Sequence, residues 1–178
     1  MSDFKFPTEE IDLPSKGLVY PKEHPLATGK VEMKYMTARE EDILTNQSFI
    51  KKGIVLDKLL QSLIPNKDIE IDDLIVGDKN ALLIAARILG YGKDYEVSIG
   101  GDDYTLDMST LEHKVIDYSI FKEGQNEFSF TLPTSEVVIT YQLLTGKLEK
   151  SVEREIAGLK KLNKEASPEL TTRLKHMI

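Results

Sequence analysis

The chain has 178 residues, and its 23 Lys and Arg against 30 Asp and Glu leave a net charge of −7. That length allows one domain or two small ones, and the 40% hydrophobic, 30% charged composition excludes wholesale disorder. The acidic balance argues against a nucleic-acid footprint, and the lack of any Cys removes disulfides, thiolate metal sites and cysteine nucleophiles.

Residues Met1–Lys5 lack the charged-then-apolar pattern of a signal segment, and no apolar run reaches the ~20 residues of a membrane span. The charge is uneven. Residues 1–146 carry 15 basic and 25 acidic side chains, whereas residues 147–178 carry 8 and 5. The basic tail reads either as a solvated amphipathic helix or as an arm for an acidic partner or another copy of the chain.

Residues 1–28 hold Pro7, Pro14, Pro21 and Pro25, which disfavour a helix or a central strand. Phe4, Phe6, Ile11, Leu13, Leu18, Val19, Tyr20 and Leu26 still punctuate the stretch, so an extended arm lying on its own domain or on a partner is expected. Val31, Met33 and Tyr35 alternate with Lys30, Glu32 and Lys34, the period of a half-buried strand. Thr37 and Glu40 have capping-box spacing and predict a helix from Ala38 to about Thr45. A second helix is expected over Ile54–Ile64, stopped by Pro65, with a short turn over 72–76. Asp78 is expected to cap a third helix, Lys79–Leu89, with Gly90 as its left-handed terminus. That helix is apolar nearly all round, which places it at the centre of the core.

The period then changes to two. Residues 95–99 and 104–107 alternate around Gly100-Gly101 and predict a hairpin. Residues 128–132 and 137–141 predict two more strands joined through Pro133. Lys147–Leu162 returns to helix with Leu148, Val152, Ile156, Leu159 and Leu162 on one face. Ser167-Pro168 opens a last helix in which Leu170, Leu174 and Ile178 recur every four residues. Its uncapped apolar end suggests a fragment of a longer protein or a docking end. The expected class is α+β: a helical centre with antiparallel hairpins over 29–146, an extended N-terminal arm over 1–28, and basic amphipathic helices over 147–178.

Chemistry is sparse. His24, His113 and His176 lie far apart and fit no zinc pattern. There is no phosphate-binding glycine loop, and Gly90-Tyr91-Gly92 ends a helix rather than opening one. The carboxylates at 68, 70, 72, 73 and 78, and at 102, 103 and 107, lack the order of a calcium loop. No catalytic residue, cofactor or metal site is expected, and what remains is binding and assembly.

One pattern is more specific. Leu13-Pro14-Ser15-Lys16-Gly17-Leu18-Val19-Tyr20-Pro21, then His24-Pro25-Leu26, Gly29–Met33 and Met36–Leu44, resembles the opening of the T-even-type phage baseplate hub family. Asp78, Leu82–Arg87, Gly90-Tyr91-Gly92, Leu143–Lys147 and Leu170–Leu174 resemble its later landmarks. The resemblance implies a non-catalytic structural or assembly protein of a contractile phage tail, working in the host cytoplasm and then at the baseplate. A tail-assembly chaperone is the alternative it leaves open. The partners it implies are other tail or hub proteins, the tape-measure protein or a further copy of the chain, with no nucleic acid and no membrane. The expected contact residues are Leu13, Pro14, Lys16, Leu18, Tyr20 and Leu26 in the arm, and Leu148, Val152, Ile156, Leu170 and Leu174 in the tail. Some relatives carry a Cys-x-x-Cys knuckle where this chain reads Ser98-Ile99-Gly100-Gly101, and relatives continue past the point matching Ile178.

Overall fold

The computed structural model describes residues 7–112, 114–162 and 167–178; the expectations for Phe4, Phe6 and His113 lie outside them. Among the described residues the chain is α+β, with three two-stranded antiparallel sheets and six α-helices. Strand β1 (Thr8–Asp12) pairs with β2 (Lys30–Lys34), and the loop between them folds back under the sheet. Helices α1 (Ala38–Thr45), α2 (Gln47–Lys51), α3 (Val55–Leu63) and α4 (Val76–Tyr91) follow. Then come the hairpin β3 (Asp94–Ile99)–β4 (Asp102–Asp107), the hairpin β5 (Phe128–Thr131)–β6 (Val138–Tyr141), and helices α5 (Gly146–Leu162) and α6 (Glu169–Met177).

Of the two surfaces open to the N-terminal segment, residues 7–28 take their own domain and are built into its core. Leu13, Val19, Tyr20 and Leu26 are buried in one cluster with Val31 and Met33 of β2, Leu60 and Leu63 of α3, and Leu82 and Ala86 of α4. The four prolines leave too few backbone donors for a long strand, but the stretch between Pro7 and Pro14 suffices for five residues of edge strand. After it the chain makes successive tight turns, with Lys16 N–H donating to Leu13 O at 2.9 Å, Leu18 to Ser15 at 3.1 Å and Tyr20 to Gly17 at 3.1 Å.

These turns need glycine at one crossing. Gly17 and Gly29 both have positive φ, and a Cβ on Gly17 would stand 2.4 Å from Ala27 O and 2.6 Å from Gly29 N. Backbone on both sides leaves no side chain to yield. Gly17→Ala is therefore expected to cost about 2–4 kcal/mol in denaturant unfolding. Gly53→Ala, also at positive φ but facing open space, is expected to cost about 1 kcal/mol.

The start of α1 follows the capping-box spacing. Glu40 turns back to accept from Thr37 N–H at 2.9 Å and Thr37 Oγ1 at 2.6 Å, and its other oxygen accepts from Lys34 Nζ at 2.8 Å and Ser62 Oγ at 2.5 Å. The side chain is fully buried. Burial alone favours the neutral acid, but the Lys34, Ser62 and Thr37 donors outweigh it and hold the carboxyl at about 2. A depressed folded value gives stability that is complete above the unfolded value near 4.5 and is lost as pH falls toward 2. Glu40→Gln should accordingly lower stability by about 2–3 kcal/mol at pH 7 and by much less at pH 2.5, measured by urea titration at both.

Two details of α4 differ from expectation. Gly90 is helical and packs against the Met36 side chain, and it is Gly92 that takes positive φ beyond the last turn. Asp78 does not cap the helix: α4 starts at Val76, and Asp78 lies in its first turn with its carboxylate pointing into the core. Around α4, Ile75 bridges Thr145, Val76 N–H donates to Leu144 O at 2.9 Å, and Gly146 N–H donates to Leu74 O at 2.9 Å, which ties α5 to the body.

Candidate functional site

The residues quoted from the N-terminal motif converge on Asp78. Its Oδ1 accepts from Ser15 N–H at 3.0 Å, and its Oδ2 accepts from Ser15 Oγ at 2.6 Å and the Tyr20 hydroxyl at 2.7 Å. Tyr20 Oη in turn accepts from Ile75 N–H at 3.1 Å, and Ser15 Oγ accepts from Gly17 N–H at 3.1 Å. Asp78 makes no ion pair among the described residues. Its charge is instead met by three donors and by the first turn of α4, where the helix dipole favours an anion. Burial first, and then the Asp78 charge, push the Tyr20 hydroxyl well above the ordinary tyrosine range, so it stays a donor.

A second layer closes over this clasp. Tyr118 donates to Pro14 O at 2.8 Å, Gly124 N–H donates to Leu18 O at 2.8 Å, and Lys16 Nζ lies 3.9 Å from the centre of the Tyr118 ring. A cleft of about 450 Å³ runs between Lys16, Thr28, Lys30 and Tyr118, and Lys30 there is occupied by Glu10. An apolar pocket of about 250 Å³ lies behind Pro14, bounded by Ile116, Phe121, Leu143 and Leu144. Ser15 and Asp78 of the clasp also border this pocket, and the described residues hold no cluster of His, Asp and Glu suited to a metal ion. The clasp acts as a fastener between an N-terminal loop and α4.

The expected contact residues therefore divide. Leu13, Tyr20, Leu26 and Val152 are buried, a correction to their expected role, because their apolar bodies fill the interior and no partner can reach them. Pro14, Leu18, Leu148 and Ile156 are half-buried, and Lys16, Leu170 and Leu174 are exposed. Much of the tail's positive charge is also spent internally. Arg173 grips Glu149 with two bonds of 2.7 and 2.5 Å, Lys175 and His176 share Glu155, Lys160 meets Glu169, and Lys150 bridges Asp57 and Asp72. The pairs of Glu149, Glu155 and Lys160 hold α6 on α5, Lys150 ties α5 to α3 and the turn at Asp72, and Thr172 of α6 is buried.

Several large apolar side chains remain uncovered. On the tail, Leu162 is 87% exposed, Leu170 69% and Ile178 65%. On the first hairpin, Ile99 is 67% exposed and Tyr104 52%. The alternation over 95–106 signalled this hairpin's two faces, but a period alone does not say whether the apolar one is covered. No helix among the described residues is long and apolar enough to cross a membrane. No protein-family model, curated protein or solved structure matches the chain.

Proposed function

We propose that the chain is a structural or assembly protein of the baseplate hub of a contractile-tailed phage, acting by protein–protein contacts and without catalysis. The observation that supports an assembly role is the pair of uncovered apolar faces, one on the β3–β4 hairpin and one on α6, carried by a body whose loops are fastened internally. A chain that worked alone would leave such large side chains exposed at a cost in solubility. The tail as the setting rests on the sequence resemblance over residues 13–92 and the later landmarks. In this reading the clasp at Asp78 fixes the body's shape, and the hairpin and α5–α6 reach neighbouring tail or hub proteins.

Quantitative mass spectrometry of purified virions and of tail precursors tests the reading. Recovery with both mature tails and precursors is expected. Recovery with precursors alone would make the chain a tail-assembly chaperone, with the tape-measure protein as the partner to look for. Abundance in host cytosol with absence from both tails and precursors would overturn the reading.

A further inference from the structure

The β3–β4 hairpin stands on a fixed base. Arg87 donates to Gly92 O at 2.9 Å and Asp94 O at 3.3 Å, and its guanidinium lies 5.0 and 5.6 Å from the ring centres of Tyr91 and Tyr95. Met108 N–H donates to Lys93 O at 2.8 Å and closes the root. Gly100 and Gly101 both take positive φ at the tip, which matches the twist of a two-residue turn.

Pairing of Tyr95 with Leu106 and Val97 with Tyr104 puts these four and Ile99 on one face. Asp94, Glu96, Asp103 and Asp107 share the other face. Lys93 pairs with Asp107, whereas Asp94, Glu96 and Asp103 make no ion pair among the described residues. Among the described residues the two strands pair only with each other, so each keeps an outer edge of backbone donors and acceptors beyond the Asp94 carbonyl that Arg87 occupies.

We infer that this hairpin is a strand-addition site. It takes, as a third strand, an extended segment of another protein in which apolar residues alternate with Lys or Arg. On the outer edge of β3, period-two alternation sets the apolar residues of the incoming strand beside Tyr95, Val97 and Ile99, and its cations beside Asp94 and Glu96. A second copy of the hairpin is a poor occupant, because edge-to-edge pairing would crowd Asp94 and Glu96 against their own counterparts. Tail contacts are not needed for this to hold, so the two readings fail separately.

The test uses the full chain and capped octapeptides of alternating valine and lysine, with a scrambled peptide of the same composition and an alternating valine–glutamate peptide as comparisons. The alternating lysine peptide should bind at least tenfold tighter than either, and should slow amide exchange across residues 94–107 by at least tenfold. Joint Asp94→Lys and Glu96→Lys, both at exposed positions, should weaken the lysine peptide tenfold and admit the glutamate one. Joint Val97→Ser and Ile99→Ser should weaken either. Equal binding of the scrambled peptide, protection elsewhere in the chain, or indifference to charge reversal would each overturn the proposal. So would self-association of the chain that Ile99→Ser abolishes, since a second copy would then own the face.

Discussion

Deleting residues 1–28 is expected to abolish cooperative folding rather than remove a detachable contact. The deletion takes Leu13, Val19, Tyr20 and Leu26 out of the central cluster, and each buried side chain of this kind contributes about 1.5–3 kcal/mol. Together that is roughly 6–12 kcal/mol, which matches the whole net stability of a typical domain, about 5–15 kcal/mol. The same cut removes β1, so β2 loses the partner that runs from Thr8 opposite Lys34 to Asp12 opposite Lys30. It also leaves the Asp78 carboxylate in the core without Ser15 and Tyr20. Calorimetry of a chain starting at Gly29 should show no sharp transition, and its near-ultraviolet dichroism should be featureless. A sharp transition with native tyrosine dichroism would restore the detachable arm.

Five of the six helices and both later hairpins are legible because their signals are local, whereas the short α2 (Gln47–Lys51) has no apolar period to announce it. Thr37 and Glu40 are three residues apart and set the start of α1, and Gly100-Gly101 fixes the register in which Ile99 faces Asp102. Strand β1 carried no such signal. Glu9 and Glu10 break the alternation, and only β2, with Lys30 reaching Glu10, makes the segment a strand. Asp78 was misread for a similar reason. A carboxylate near a helix start is usually a cap, and its actual donors, Ser15 and Tyr20, lie 63 and 58 residues away. The tail shows the limit of periodicity. Leu148, Val152 and Ile156 share a face of α5, yet Val152 is buried while Leu170 and Leu174 on α6 are exposed. Spacing names a face, and only the neighbouring elements decide what covers it. The same holds for the candidate site: the hairpin's apolar alternation was written in residues 95–106, but its lack of cover was not.

Asp78→Ala should be the most damaging single substitution, costing about 3–5 kcal/mol, since it leaves Ser15 N–H, Ser15 Oγ and the Tyr20 hydroxyl facing an apolar interior. Asp78→Asn keeps the shape but turns an amide toward groups that also donate, and about 2–3 kcal/mol should be lost. Tyr20→Phe leaves one donor, Ile75 N–H, and one acceptor, Asp78 Oδ2, each short of a partner, at about 1–3 kcal/mol. Because the two residues share a bond, the double variant should fall short of the sum by about 1–2 kcal/mol. Alkali gives an independent readout. The unfolded Tyr20 hydroxyl ionises near 10.0, whereas burial and the Asp78 charge keep the folded one protonated to higher pH. A raised folded value means the contribution is complete below pH 10 and is lost as pH climbs above it. Wild-type stability should thus fall more steeply between pH 10 and 11.5 than that of Tyr20→Phe, measured by urea unfolding at each pH. Parallel curves for the two proteins, or additive losses in the double variant, would mean that the Tyr20–Asp78 bond does not fasten the loop to α4.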